Sequence, residues 1–284
     1  MTPGNNTKQK DRWKIFHNLH HSTELLVLPN IWDPLGGMLL EKLGFPAVAT
    51  ASASVAFSNG YNDGEHIPLD ELLALLKRIV TSIDVPVSAD IESGYATSNS
   101  QLKQNIRKFI ETGIVGINIE DTDKKTNSIL PVEIQIEKIG IIKQVSEEMA
   151  VPLFINARTD IYIRGVDFIT RASKLEETVK RGKAYKAAGA DCFFPIALFE
   201  TDHIKELTRQ LKMPVNISLI QGAPKLNELK ELGVARVSMG PSLLRFAIKA
   251  MQSVAIKLKK NEGELELTEN ELTTAYLKDL VNKV

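Results

Sequence analysis

The sequence predicts an α/β protein of the TIM, or (β/α)8, barrel class. Three observations carry that expectation. Short apolar runs alternate with longer amphipathic segments from residue 25 to residue 259, and the alternation counts eight of each. A Gly closes a helical segment just ahead of an apolar run at Gly44, Gly113, Gly189 and Gly233, the stop signal of repeated βα units. A doubly wound open sheet would show a Gly-rich loop after its first strand, and Pro29-Asn30-Ile31-Trp32-Asp33 stands there instead.

Each element follows in order. Residues 1–8 carry no pattern and are expected to be disordered. Residues 10–21 form a first helix, with Trp13, Ile15, Phe16 and Leu19 as its apolar positions. Strand one, 25–32, leads to a helix opened by Pro34 and stopped by Gly44. Strand two, 47–52, is followed by a long loop to Asp63 and Gly64, and Pro68 opens an amphipathic helix to residue 83. Strand three is 85–92 and its helix 99–112. Strand four is 116–121 with helix 133–149. Strand five, 151–160, precedes a long helix ending near Ala188-Gly189. Strands six, seven and eight are 191–195, 214–218 and 234–240, with helices 203–211, 225–232 and 241–259. A polar link then reaches a last helix, 268–281, whose Leu272, Tyr276, Leu277 and Leu280 need a partner surface. That surface is either the chain's own barrel or a neighbouring subunit. The expected organisation is one barrel over residues 1–260 with a C-terminal helical extension over 261–284.

The chain of 284 residues is 43% hydrophobic and 25% charged with zero formal net charge. This is average globular composition, with no electrostatic case for nucleic acid or an anionic membrane. No apolar run approaches the length of a membrane span. The polar N-terminus is unlike a secretory signal. The single cysteine, Cys192, allows no intramolecular disulfide and fits a reducing compartment, so a cytoplasmic protein is expected.

In such a barrel, chemistry sits at the carboxyl ends of the strands. Asp90 and Glu92, two residues apart at the end of strand three, share a face in a strand, and like charges so placed call for a cation between them. Mg²⁺, a hard ion taking carboxylate oxygens, is the candidate. An isolated Asp-x-Glu can equally be a solvated pair. The other strand ends add Asp63, Glu120 and Asp121, then Asn156, Arg158 and Asp160, then Asn216 and Ser218. Acids from several strands with one Arg suit a metal-assisted site where Arg neutralises developing charge. Arg158 could also simply tie strand ends by ion pairs. Trp32 and Tyr95 either wall the pocket or are plain core.

The stretches 52–56, 60–65, Ala89-Asp90-Ile91-Glu92-Ser93-Gly94-Tyr95, Asn118-Ile119-Glu120-Asp121, Asn156-Ala157-Arg158-Thr159-Asp160 and 234–238 together resemble the isocitrate lyase and phosphoenolpyruvate mutase superfamily. The likeness runs over about residues 24–250. Within it, the nearest look is to the phosphonomutase-like branch (carboxyphosphonoenolpyruvate phosphonomutase-like proteins). The resemblance implies a Mg²⁺-dependent barrel, with Mn²⁺ as a substitute, acting on a small keto-acid or phosphono-keto-acid through an enolate-like species. By position it implies Asp90 as the direct metal ligand, with Asp63, Glu92 and Glu120 holding the ion through waters. Backbone amides near Ser52 and Ala53 would receive the substrate carboxylate, and Arg158 would bind substrate oxygens and stabilise the enolate. Asn216 is a further substrate-binding candidate at the end of strand seven.

Lyase branches of this superfamily carry a catalytic Cys in a Lys-Lys/Arg-Cys-Gly-His loop after strand four. Here that loop reads Asp121-Thr122-Asp123-Lys124-Lys125-Thr126-Asn127-Ser128, with no Cys. Lys125 and Asn127 resemble the residues that approach a phosphoryl group in phosphoenolpyruvate mutases and phosphonopyruvate hydrolases, one residue closer to Glu120. The reaction implied is cleavage or rearrangement of a P–C or C–C bond under a closing lid, about 122–131. The alternatives are a Cys-independent oxaloacetate decarboxylase or C–C lyase, and a non-catalytic carboxylate-binding barrel. A homo-oligomer, dimer or tetramer with exchanged C-terminal helices, is also implied by the resemblance.

Overall fold

The structure is a computed structural model that describes residues 3–168 and 170–282. Strands β1 (Leu26–Val27) and β2 (Asn30–Ile31) are two halves of one expected strand, interrupted at Leu28-Pro29 because Pro29 has no N–H to donate. The remaining strands are β3 (Val48–Thr50), β4 (Val87–Asp90), β5 (Gly116–Glu120), β6 (Phe154–Thr159), β7 (Cys192–Pro195), β8 (Asn216–Ser218) and β9 (Arg236–Ser238). Strands β2 to β7 pair in sequence order, and β1 pairs with β9, which pairs with β8. All these pairings are parallel. The two sheets join where Phe193 N donates to Pro214 O at 3.0 Å and Phe193 bridges Val215. Because β1 and β2 are one strand, the ladder runs round all eight strand positions, as a barrel requires.

The helices are α1 (Pro3–His20), α2 (Pro34–Lys42), α3 (Ser52–Ser58), α4 (Leu69–Ser82), α5 (Asn99–Glu111), α6 (Val132–Glu148), α7 (Ile161–Arg164) and α8 (Arg171–Ala187). They continue with α9 (Thr201–Leu211), α10 (Leu226–Glu231), α11 (Ser242–Leu258), α12 (Glu264–Thr268) and α13 (Thr274–Val281). Burial explains the pattern. On α4, Leu72, Leu76, Ile79 and Val80 face the sheet, and on α5 Leu102, Ile106, Phe109 and Ile110 do, each a stripe at helical spacing.

Helix α1 starts at Pro3, so the expectation of disorder fails for residues 3–8, while residues 1 and 2 lie outside those described. The helix closes the N-terminal end of the barrel. Phe16 packs with Leu26, Leu28, Ala47, Ala49, Val115, Phe154 and Cys192. Gln9 Nε2 donates to Ile110 O at 3.0 Å and to Ile114 O at 2.8 Å. The expected loop after strand two holds α3, and the last expected helix is two, α12 and α13. Helix α13 lies on the chain's own α2: Leu280 is buried and Asp279 pairs with Lys42 at 2.6 Å. The lysine ammonium stands 4.5 Å from the centre of the Tyr276 ring. Among the described residues no helix is long and apolar enough to cross a membrane.

Candidate active site

The site is assembled at the carboxyl ends of β3 to β6. Asp90 ends β4, Glu120 ends β5, and Arg158 lies on β6 in register with Glu120. Glu92 lies beyond its strand. Its φ of 52°, with Gly94 at 103° and Tyr95 at 54°, makes a left-handed turn, so strand alternation does not fix its direction. A side chain at Gly94 would have its Cβ 2.6 Å from Leu102 Cδ1, which leaves only glycine at that turn.

Glu65 holds the turn from outside. Its Oε1 accepts from Ser93 N at 2.9 Å, Ser93 Oγ at 2.6 Å and Tyr95 N at 2.9 Å. In return Glu65 N donates to Glu92 Oε1 at 2.8 Å. No role was expected for Glu65, since no spacing links it to a turn some 28 residues away.

The buried carboxylates are matched by Arg158, Lys124 and, on Oδ2 of Asp160, Arg164 Nε at 3.2 Å. Arg158 forks onto Asp160, with Nε 2.7 Å from Oδ1 and Nη2 3.1 Å from Oδ2, and its Nη1 stands 3.0 Å from Glu120 Oε2. The ion-pair alternative for Arg158 is therefore present in the geometry. Although burial opposes its charge, Glu120 and Asp160 hold the guanidinium firmly protonated. The second cation is Lys124, to which no site role was given. Its Nζ donates to Glu92 Oε2 at 2.7 Å and lies 2.5 Å from Glu120 Oε1, the latter an ion pair without hydrogen-bond alignment. Burial pushes the Glu92 carboxyl up to about 7, against the pull of Lys124.

Other expected residues stand differently. Ser52 N and Oγ reach Asp90 Oδ2 at 3.3 and 3.1 Å, so the donors expected to receive a substrate carboxylate are turned to Asp90, with Ala53 beside them on α3. Asp63 is exposed and its carbonyl accepts from the His66 ring. Lys125 is exposed, and Asn127 accepts a hydrogen bond from Arg164. The loop is a small hairpin in which Asp123 N donates to Ser128 O at 2.9 Å and Asn127 N donates to Asp123 O at 2.8 Å. Asn216 is fully buried inside the barrel beside its register partner Arg236. Trp32 and Tyr95 pack partly buried against the main core, and Cys192 is buried in β7. Asp121 is structural: it accepts from Thr159, Tyr185, Arg181 and the amide of Asp160.

A divalent ion can be tested against this donor set. Asp90, Glu92 and Glu120 offer hard oxygens suited to Mg²⁺, and Glu120 Oε1 is buried without a hydrogen bond. Yet among the described residues no three acidic, His or Cys side chains gather around one point. The place between Glu92 and Glu120 belongs to the Lys124 ammonium. The donor chemistry fits the ion, and Lys124 is what contests it. Beside Lys124 lies a cavity of about 280 Å³ whose lining includes Thr97, Asn99, Lys125 and Lys138.

Carboxylates and fixed cations around the carboxyl ends of parallel barrel strands define a class, the barrel enzymes that handle small anionic substrates. Comparison with known proteins narrows it. The sequence profile described as phosphoenolpyruvate phosphomutase matches residues 16–259. The chain belongs to that family, within the phosphoenolpyruvate mutase and isocitrate lyase superfamily. It is 33% identical over 225 residues to an uncharacterised protein of Mycobacterium tuberculosis (strain H37Rv), covering 79% of this chain and 81% of that one. It is 25% identical to a 2-methylisocitrate lyase of Bacillus subtilis (strain 168), covering 94% and 88%. A solved structure from Burkholderia cenocepacia J2315, provisionally named a phosphonomutase, is 35% identical with a TM-score of 0.82, covering 86% of this chain and 99% of that one. Named relatives are lyases and mutases of keto acids and related carboxylates.

Proposed function

We propose that this chain is a cytoplasmic, Mg²⁺-dependent enzyme that cleaves or rearranges a P–C or C–C bond of a small α-keto acid. The observation that carries the reading is Arg158, fixed at the barrel mouth by Asp160 and Glu120 and aimed among carboxylates from neighbouring strands. A guanidinium so held needs no reorganisation when negative charge develops on a substrate oxygen. Asp90, with Asp63, Glu92 and Glu120, would hold Mg²⁺, which supplies Lewis-acid polarisation of a carbonyl when bound. The protein's own part is to bind and orient. Arg158 neutralises the enolate, the Ser52 and Ala53 amides receive the carboxylate once Asp90 turns from them, and the 122–130 hairpin excludes water. Lys125 and Asn127 reach a phosphoryl group only if the hairpin moves, since Lys125 faces solvent and Asn127 is tied to Arg164. That position, with the loop's lack of Cys, favours a second reading, a Cys-independent decarboxylase or C–C lyase at the same site.

The test is Mg²⁺-dependent pyruvate release from phosphonopyruvate, oxaloacetate, methylisocitrate and dimethylmalate, coupled to lactate dehydrogenase. Pyruvate with phosphate from phosphonopyruvate supports P–C chemistry, and pyruvate from a carboxylate alone selects the second reading. If neither pyruvate nor, by phosphorus NMR, a rearranged phosphonate forms, the proposal is wrong. We also propose a homo-oligomer, dimer or tetramer. Helix α11 leaves Phe246 at 76% and Met251 at 64% exposure, an apolar face of the kind that partners cover. Elution of the full chain as a monomer on gel filtration refutes it.

A further inference from the structure

We infer that Lys124 is a built-in counter-ion, so that its ammonium and a divalent cation are alternative occupants of the place between Glu92 and Glu120. The inference rests on the metal reading above and deepens it. The Lys124 side chain is 22% exposed while those of Glu92 and Glu120 are 2% and 3% exposed. Buried carboxylates this close require a positive charge, and the ammonium provides it.

The atoms involved are the ones that would face the ion's water shell on that reading. Glu92 gives one oxygen to the Glu65 amide at 2.8 Å, and Glu120 gives one to Arg158 at 3.0 Å. In each case the other oxygen is the one Lys124 holds. An ammonium and the water shell of a divalent ion cannot both sit against the same two oxygens, and the like charges themselves repel strongly where bulk water is scarce.

Lys124 is also the cation able to leave. Arg158 is locked by two carboxylates at a strand end, whereas Lys124 is a flexible stem on a hairpin closed by its own backbone bonds. The cavity of about 280 Å³ next to it gives the ammonium somewhere to go by a change of rotamer. The hairpin need not open.

A competitor of this kind weakens apparent metal affinity by the fraction of time the place is free. If the ammonium holds it for nine-tenths of the time or more, neutralising Lys124 tightens binding by about ten-fold or more. Lys124→Met keeps length and removes charge.

The experiment is a Mn²⁺ titration of the full chain, read by the loss of free-ion paramagnetic resonance, in wild type and Lys124→Met. Acetic anhydride labelling of wild-type Lys124, read by peptide mass spectrometry with and without Mg²⁺, runs beside it. Tighter binding by the variant, with Lys124 labelling that rises on Mg²⁺ addition while Lys125 stays constant, supports the inference. Equal or weaker binding by the variant overturns the competition and leaves the metal reading standing. No ion bound by either folded protein overturns both. Should Lys124→Met not fold, Lys124→Gln and the wild-type labelling decide: labelling unmoved by saturating Mg²⁺ overturns the inference.

Discussion

The Glu92 carboxyl offers a quantitative test of the balance between burial and ion pairing. In the folded chain it is pushed from its ordinary 4.5 up to about 7, chiefly by burial, and only partly opposed by Lys124. At 1.36 kcal/mol per pH unit this corresponds to about 3 kcal/mol. The folded value lies above the unfolded one, so the favourable contribution is complete below pH 4.5 and is lost as pH rises through about 7. Glu92→Gln keeps the shape and removes the titration. Wild type and variant therefore differ least in charge at pH 4.5, and the variant should gain on wild type as pH rises to 8. At about 2 °C per kcal/mol for a domain of this size, the relative gain is about 6 °C in Tm. The assay is thermal unfolding in EDTA, so that no metal ion stabilises either protein. A constant offset across the range refutes the argument. A wild type that gains on the variant refutes it more strongly, since the Lys124 pair would then outweigh burial.

Three further perturbations have defined expectations. Arg158→Met leaves Glu120 with Lys124 alone and Asp160 with Arg164 alone and should cost about 3 kcal/mol, the low end for a broken buried pair, in urea unfolding, together with any Mg²⁺-dependent turnover; wild-type stability would remove its anchoring role. Tyr185→Phe takes one donor from Asp121, which keeps Thr159, Arg181 and the Asp160 amide, and should cost about 1–3 kcal/mol by the same measurement. Gly94→Ala combines a φ of 103° with a contact at 2.6 Å on Leu102. It should lose about 1–3 kcal/mol, and an unchanged midpoint would show that the turn relaxes without strain.

The barrel was legible because its signals are local. Proline openers, glycine stops and apolar runs report on the few residues around them, and the strands fell where those signals put them. The site was legible only as far as the strand ends go. Asp90, Glu120 and Arg158 were placed together by topology, since alternate residues at the end of a barrel strand face the mouth, whereas Asp121, next to Glu120, turns to Thr159, Arg181 and Tyr185. Glu92 resisted the same logic because the chain leaves β4 before reaching it and turns left-handed. That Lys124, and not Lys125, turns toward the carboxylates was illegible for a related reason. Two adjacent lysines on a hairpin point to opposite sides, and which one turns inward depends on the bonds from Asp123 to Asn127 and Ser128 that close it. Glu65, nearly thirty residues from the turn it holds, offers no sequence period at all.

The cations of this barrel differ in their freedom, and that difference orders the reading of the site. Arg236 is fully buried, gives Asn118 Oδ1 a contact at 3.3 Å, and has Nε and Nη1 without protein partners. Burial pushes its guanidinium down to about 10, which leaves it charged at neutral pH. It cannot leave the interior, but its charge acts upward on Asp90. Arg158 is fixed one layer higher by Asp160 and Glu120. Of these three, Lys124 is the one on a loop, with open space beside it. A site that must accept an anionic substrate, and on the reading above a metal ion as well, needs fixed positive charge to attract and orient the anion. It also needs one charge that can withdraw when the ion arrives. On that reading Arg158, with Arg236 buried inside the barrel, meets the first requirement and Lys124 the second, and Lys124 is the cation that no strand-end position singled out.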